Sequence, residues 1–173
     1  VGMGLNVRET VSNLADLPQI PGRLEIVSER RPFDVYIDYA HTPDALSNAL
    51  LTLEEFNPRR LIVVFGCGGD RDATKRAQMG KVAASIANYA IITSDNPRSE
   101  SPSQIISEIK SGFEGSHYEI VEDRREAIAL AVSYLLPGDI LLIAGKGHET
   151  YQEVSGKRTA FDDRIIAGQM LND

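Results

Sequence analysis

Leu61-Ile62-Val63-Val64-Phe65 runs straight into Gly66-Cys67-Gly68-Gly69-Asp70-Arg71-Asp72, and this stretch decides the fold. Five consecutive apolar residues, three of them β-branched, leave no polar face, so the strand they form must be covered on both sides. The glycine- and aspartate-rich turn that follows leads into a helical pattern over Thr74–Asn88, which Asp72 is placed to cap. The same unit recurs on either side. Strand-like runs begin at Asp34, Tyr89, Tyr118 and Asp139 as well, with starts 21–29 residues apart, the length of a strand–helix–strand unit. Helix starts are readable between them. Thr42 precedes Pro43 at the first helical position, Ser101-Pro102-Ser103-Gln104 and Asp123-Arg124-Arg125-Glu126 read as capping boxes, and a last helix starts near Asp162. Residues 151–159 read as a small hairpin turning at Ser155-Gly156. Alternating apolar strands and helices predict a doubly wound, mostly parallel α/β sheet with helices on both faces and a small hairpin near the C-terminus.

The N-terminal stretch has another character. Asn6 to Asp16 predicts a short helix, stopped by Pro18 and Pro21. Arg23–Ser28 and Phe33–Asp38 read as extended runs that form a hairpin around Arg30-Arg31-Pro32, and a domain boundary falls within residues 17–33. The chain begins Val1-Gly2-Met3, which reads as a piece of something longer. Its 173 residues include 18 basic and 25 acidic side chains, a net charge of −7 that argues against nucleic acid or an anionic membrane as partner. One cysteine, Cys67, excludes an internal disulfide and a cysteine zinc cluster and suits a reducing cytosol. No apolar run approaches the ~18 residues of a membrane span.

Ligands of an open parallel sheet bind outside the carboxyl ends of its strands. Four polar loops fall there: Asp38-Tyr39-Ala40-His41-Thr42-Pro43-Asp44, Gly66–Asp72, Ser94-Asp95-Asn96-Pro97-Arg98 and Gly145-Lys146-Gly147-His148-Glu149. Each alone is also what an ordinary strand-to-helix turn uses. Asp38 ends a buried strand and needs donors or a ligand hydroxyl. His41 can reach a phosphate or a ring, whereas His117 reads as surface. Gly66-x-Gly68-Gly69 fails the dinucleotide fingerprint because Arg71 stands at the third glycine position. Gly145-Lys146 fails the triphosphate-binding P-loop because Ile140 and Gly147 stand at two of its required positions. The oxygens of Asp95, Asn96 and Glu149 suit ammonium groups, and the Arg98 and Arg71 guanidiniums suit carboxylates, with Pro97 stiffening the loop. Together they complement a zwitterion with extra amino and carboxyl ends.

Asp-Tyr-Ala-His-Thr-Pro-Asp at 38–44, Phe-Gly-Cys-Gly-Gly-Asp-Arg-Asp at 65–72, Asp-Asn-Pro-Arg at 95–98 and Gly-Lys-Gly-His-Glu at 145–149 resemble the Mur ligases of bacterial cell-wall synthesis. Within that family they are most similar to the branch that adds meso-diaminopimelate to UDP-N-acetylmuramoyl-L-alanyl-D-glutamate. Pro21-Gly22-Arg23-Leu24-Glu25 resembles the family's domain junction, and Phe161-Asp162-Asp163-Arg164 its closing motif. The resemblance implies a Rossmann-like C-terminal domain over residues 28–173, with 1–27 the tail of a central ATPase domain. It implies a ligase that uses ATP and Mg²⁺, bound chiefly upstream, to make an acyl phosphate that an amino acid amine attacks. Catalytic and metal-binding residues then lie outside this stretch, which is expected to be inactive alone. Arg71, Asp95, Asn96, Pro97, Arg98, Gly145 and Glu149 match the family's amino-acid site, and Asp38 and His41 match positions near ATP, Asp38 on the ribose. Lys75 and Arg76 match a basic pair, with Ala77 where the family usually has proline. Asp163 and Arg164 match without an assigned role. The implied partners are meso-diaminopimelate, ATP, the UDP-N-acetylmuramoyl dipeptide and the other two domains of a cytoplasmic enzyme.

Lysine lacks the distal carboxylate of diaminopimelate, so a guanidinium at Arg98 favours the latter by several kcal/mol. Three other readings remain open at this point: a lysine-adding Mur ligase, a folylpolyglutamate synthetase-like ligase domain, and a non-catalytic amino-acid-binding module.

Overall fold

The computed structural model describes residues 18–28, 31–115 and 117–172. The helix expected over Asn6–Asp16 and the turn residue Arg30 lie outside these. The described chain runs β1 (Glu25–Ile26), β2 (Asp34–Asp38), α1 (Pro43–Glu54), β3 (Leu61–Phe65), α2 (Thr74–Ile86), β4 (Tyr89–Ile92), α3 (Pro102–Lys110), β5 (Tyr118–Ile120), α4 (Arg124–Ser133), β6 (Ile140–Ala144), β7 (Tyr151–Val154), β8 (Lys157–Ala160) and α5 (Asp163–Asn172). The main sheet has the order β1-β2-β6-β3-β4-β5. Among the described strands of this sheet only β1 is antiparallel, pairing Glu25 with Ile37 as the N-terminal hairpin requires. β6 inserts between β2 and β3, with Ile140 opposite both Asp34 and Leu61. The second hairpin, β7–β8, stands apart as a two-stranded ribbon.

Strand alternation divides the core between the two faces. Leu61, Val63 and Phe65 pack with Leu50 of α1, Met79 of α2 and Ile105 of α3. Ile62 and Val64 pack on the opposite face with Ile128 of α4 and Ile166 of α5. The crossovers from β2 to β5 thus carry α1–α3 on one face, and the return to β6 carries α4 on the other.

Local chemistry explains most helix starts. The Thr42 hydroxyl accepts from the Ala45 amide at 3.3 Å ahead of Pro43, and Asp123 accepts from the Glu126 amide at 3.0 Å. Two expectations need correction. Ser101 makes no cap bond to the helix backbone; its hydroxyl pairs with that of Ser103 at 2.8 Å, while Gln104 turns to Glu108 at 3.2 Å. The helix after Asp72 stops at Ile86, because Ala87 turns extended and delivers Asn88 to the Leu61 amide, 2.6 Å away. Asp72 itself accepts from the amide and hydroxyl of Thr74 at 2.9 and 2.6 Å.

A buried ion pair ties α4 and α5 to the strand ends. The Arg124 guanidinium, at the start of α4, meets Asp163 of α5 through two bonds of 2.9 and 2.8 Å, and neither side chain has exposed surface. The same guanidinium donates to the Ala144 carbonyl at 2.9 Å and the Ser94 carbonyl at 3.4 Å. Asp163, matched in sequence but given no role, is therefore the counter-ion of the strand-end clamp. Removing one member of a buried pair leaves an uncompensated charge, at a cost of about 3–5 kcal/mol. Arg124→Met should therefore lower stability by about that amount in urea denaturation, and a second change, Asp163→Leu, should recover much of the loss.

Candidate functional site

The carboxyl ends of β2, β6, β3 and β4 are neighbours in the sheet, so their four loops meet at one edge. They enclose a cavity of about 440 Å³. Seven of the nine residues expected in the site line it: His41, Arg71, Asp95, Asn96, Arg98, Gly145 and Glu149. Tyr39, Thr42, Gly68, Asp72, Lys75 and Tyr151 complete the wall.

Asp38 and Pro97 stand behind it. Asp38 accepts from the Leu24 amide and the Ala40 amide, both at 2.8 Å, so its carboxylate braces the N-terminal hairpin against the strand end. Those donors answer its burial without a ligand hydroxyl. Pro97 is buried, and its carbonyl lies against Gly69. That contact explains the glycine-rich turn. To reach the β6 loop, the loop after β4 must cross over the end of β3. A Cβ at Gly66 would stand 2.2 Å from the Thr93 carbonyl, and one at Gly69 2.0 Å from that of Pro97. The glycines admit a neighbouring loop by close approach of backbone, which is a different use from cradling phosphate.

The crossing brings the two loops into contact. Gly145, with φ of +115°, leaves room for the Asp95 carboxylate, whose Oδ2 would lie 2.6 Å from a Cβ there. Asn96 Nδ2 donates to Glu149 Oε2 at 2.8 Å. The hairpin backs the crossing loop: Gln152 Nε2 donates to the Asp95 carbonyl at 2.9 Å, the Glu153 amide to Asn96 Oδ1 at 2.9 Å, and the Arg98 amide to the Glu153 carbonyl at 3.0 Å. The Ser155 amide donates in turn to the Arg98 carbonyl at 2.6 Å, which holds Arg98 at a φ of +52°. Its guanidinium crosses Gly68 and donates to the Gly69 carbonyl at 2.7 Å.

The wall carries both signs of charge. No donor among the described residues bonds to the Asp95 carboxylate oxygens or to Glu149 Oε1, while Arg71 and Arg98 bring guanidiniums. Burial, then the Glu149 and Asp95 charges, raise the Tyr39 hydroxyl above its ordinary pKa against the opposing pull of Arg23. One expectation reverses. The Asn96 oxygen was expected to hold an ammonium from a ligand, but it is taken up inside the protein by the Lys146 ammonium at 3.1 Å and the Glu153 amide. What Asn96 offers the cavity is its amide nitrogen.

On the opposite side, His41 Nδ1 donates to the Tyr39 carbonyl at 2.8 Å, leaving Nε2 as the free ring nitrogen. His41 and His148 flank the Tyr39 ring, with centroids at 4.6 and 5.3 Å. The basic pair splits. Lys75 lines the cavity and donates to the His41 carbonyl at 2.7 Å, whereas Arg76 is buried beneath, bonded to Glu100 at 2.9 Å and Glu108 at 2.8 Å. Arg164 turns to Asp162, bonding it at 2.5 Å, and His117 is exposed at the entry to β5. Tyr39 and Lys75 sit inside motifs already quoted, but Tyr151 arrives on a hairpin that carried no chemical signal.

A family model described as "Mur ligase, glutamate ligase domain" matches residues 22–147. The chain belongs to the Mur ligase family. Similar curated relatives are two UDP-N-acetylmuramoyl-L-alanyl-D-glutamate–2,6-diaminopimelate ligases. The one from Bacillus velezensis is 45% identical over 99% of this chain and 35% of its own length, and the one from Syntrophomonas wolfei is 51% identical over 92% and 33%. A solved structure of a ligase with the same description is 42% identical, with a TM-score of 0.84 over 99% of this chain and 35% of that one. The chain therefore spans about a third of the length of the relatives it matches.

Within this Mur ligase domain, Cys67 is buried beside Met79, its Sγ 3.5 Å from Sδ. Burial pushes its thiol up to about 12, despite Lys75 and Arg76. The thiolate is the reactive form, so the folded chain should resist iodoacetamide at pH 8 and label only on denaturation. Labelling in the native state at the rate of a free thiol contradicts this.

Proposed function

We propose that this chain is the C-terminal, amino-acid-binding third of an ATP-dependent ligase that adds meso-diaminopimelate to UDP-N-acetylmuramoyl-L-alanyl-D-glutamate. The observation that carries the reading is a cavity of about 440 Å³ lined by three carboxylates, Asp72, Asp95 and Glu149, by two guanidiniums, Arg71 and Arg98, and by Lys75. Diaminopimelate bears two ammonium and two carboxylate groups, and each finds an opposite charge there. The names of the similar relatives agree with this chemistry.

In the proposed reaction the dipeptide carboxylate takes the terminal phosphoryl group of ATP, releasing ADP. The neutral diaminopimelate amine then attacks the acyl carbon, the amide bond forms as the bond to phosphate breaks and inorganic phosphate leaves, and the nitrogen keeps one proton and gives up the other to the departing phosphate or to water. The residues of this chain hold and orient the amino acid. Arg98 pairs with the distal carboxylate, and the open oxygens of Asp95 and Glu149 hold ammonium. Such positioning converts an encounter of two reactants into an effectively unimolecular step.

His41 faces the cavity from the Tyr39 side, the side we assign to the nucleotide. Asp38 serves that side as a brace, since its oxygens are engaged by the Leu24 and Ala40 amides. Among the described residues no three His, Cys, Asp or Glu side chains come together around a metal position. From the resemblance, and not from that count, we assign magnesium and the triphosphate to other parts of the longer protein, to whose central domain residues 1–27 would belong. No helix among the described residues is long and apolar enough to cross a membrane, and we place the reaction in the cytosol.

In the longer ligase, Arg98→Ala should lower kcat/KM for diaminopimelate roughly a hundred- to thousandfold and erode discrimination against lysine. Unchanged kinetics for both amino acids overturns the assignment. The 173-residue chain by itself should show no ATP-dependent ligation, and measurable turnover by it would refute the domain reading.

A further inference from the structure

We infer that Lys146 is a positioning residue of the cavity: its buried ammonium sets the polarity of Asn96 and the orientation of Glu149 without itself touching the ligand. The inference rests on the reading of the cavity as the amino-acid site.

Lys146 has no exposed surface, a state lysine adopts only when its charge is answered. Its Nζ lies 3.1 Å from Asn96 Oδ1 and 3.3 Å from Glu149 Oε2, and 5.5 Å over the Tyr151 ring. It does not line the cavity. Two donors, Lys146 Nζ and the Glu153 amide, converge on one atom of the Asn96 amide, and only an oxygen accepts both. The other atom is therefore nitrogen. One of its protons goes to Glu149 Oε2 at 2.8 Å, and the second remains for a ligand carboxylate.

Glu149 is fixed by the same network. Oε2 receives Lys146 and Asn96, so Oε1 is the oxygen left for a ligand ammonium. The Lys146 charge also offsets Glu149, one of the carboxylates in the wall. The motif lysine thus sorts the site into a donor at Asn96 and an acceptor at Glu149. Without the ammonium, the Asn96 oxygen keeps only the Glu153 amide, and the carboxamide is free to turn its oxygen toward the ligand.

Lys146→Met keeps the aliphatic bulk and removes the charge. In the longer ligase it should raise KM for diaminopimelate about ten- to a hundredfold, the range for losing a hydrogen bond to a charged group, while KM for ATP stays within about twofold. In an Asn96→Ala background the same change should have a much smaller effect, because part of its route is gone. A second readout needs no activity. In the ¹⁵N-labelled 173-residue chain, the Asn96 side-chain amide protons should be exchange-protected and shifted from the positions of a free carboxamide, and Lys146→Met should return them toward those positions and abolish the protection. An Asn96 pair that Lys146→Met leaves unmoved overturns the inference, and so does an equal rise in KM for ATP and diaminopimelate. If the methionine variant does not fold, Lys146→Gln, which retains a donor, is read by the same two measurements with a smaller shift expected. A wild-type ligase inactive on diaminopimelate, with the Asn96 signals behaving as stated, removes the substrate assignment and supports the role of Lys146.

Discussion

The Arg124 guanidinium is the point on which the carboxyl edge of the sheet depends. It is wholly buried, and its hydrogen bonds reach Asp163 at the head of α5, the last carbonyl of β6 and the carbonyl just before Asp95. A charge so placed is expensive to desolvate, and such pairs are weak arguments for stability as such. What this one supplies is position. The residues that follow its two carbonyl partners, Gly145 and Asp95, are the ones that meet in the cavity. The helix carrying its counter-ion belongs to the layer under the opposite face of the sheet from α1–α3. Packing of α4 and α5 is thereby transmitted to the loop contacts of the site.

Above that clamp, the site is an exercise in letting one loop lie across another. The loop after β4 reaches the loop after β6 over the end of the intervening strand, and glycines at 66 and 69 remove the side chains that would obstruct it. The β7–β8 hairpin then seals the crossing loop from behind with hydrogen bonds to Asp95, Asn96 and Arg98. This support has consequences for Arg98, whose left-handed backbone is sustained because both its amide and its carbonyl are engaged by the hairpin. A guanidinium delivered this way has a defined direction, which is what recognition of a planar carboxylate requires.

Much of this was legible in the residue order. The apolar runs at 34–38, 61–65, 89–92 and 140–144 became strands, and proline after Thr42 marked a helix start, because these signals are local and physical. The four polar loops were recognisable by composition, and seven of the nine residues singled out in them line one cavity. Where the reading failed, a competing local partner had won. Ser101 preferred a neighbouring hydroxyl to the helix amides. Lys146 showed as the lysine of a failed P-loop and of a family motif but without a role, since nothing in its flanking residues reveals that its chain folds back under Asn96 and Glu149.

The sequence by itself determined the alternation of strands and helices, the glycine turns, and the pool of charged residues available at the strand ends. Periodicity, capping and turn preference act over a few residues, so they can be read from a few residues. Only the tertiary structure decided that β6 slots between β2 and β3, that the Asp95–Arg98 loop crosses the glycine turn, and that the Asn96 oxygen faces inward to Lys146. An apolar strand edge offers the same hydrogen-bonding groups to any neighbour. Which neighbour it takes depends on helix packing over both faces and on buried charges finding partners far along the chain, as Arg124 finds Asp163 and Lys146 finds Asn96, a balance struck by the whole fold at once.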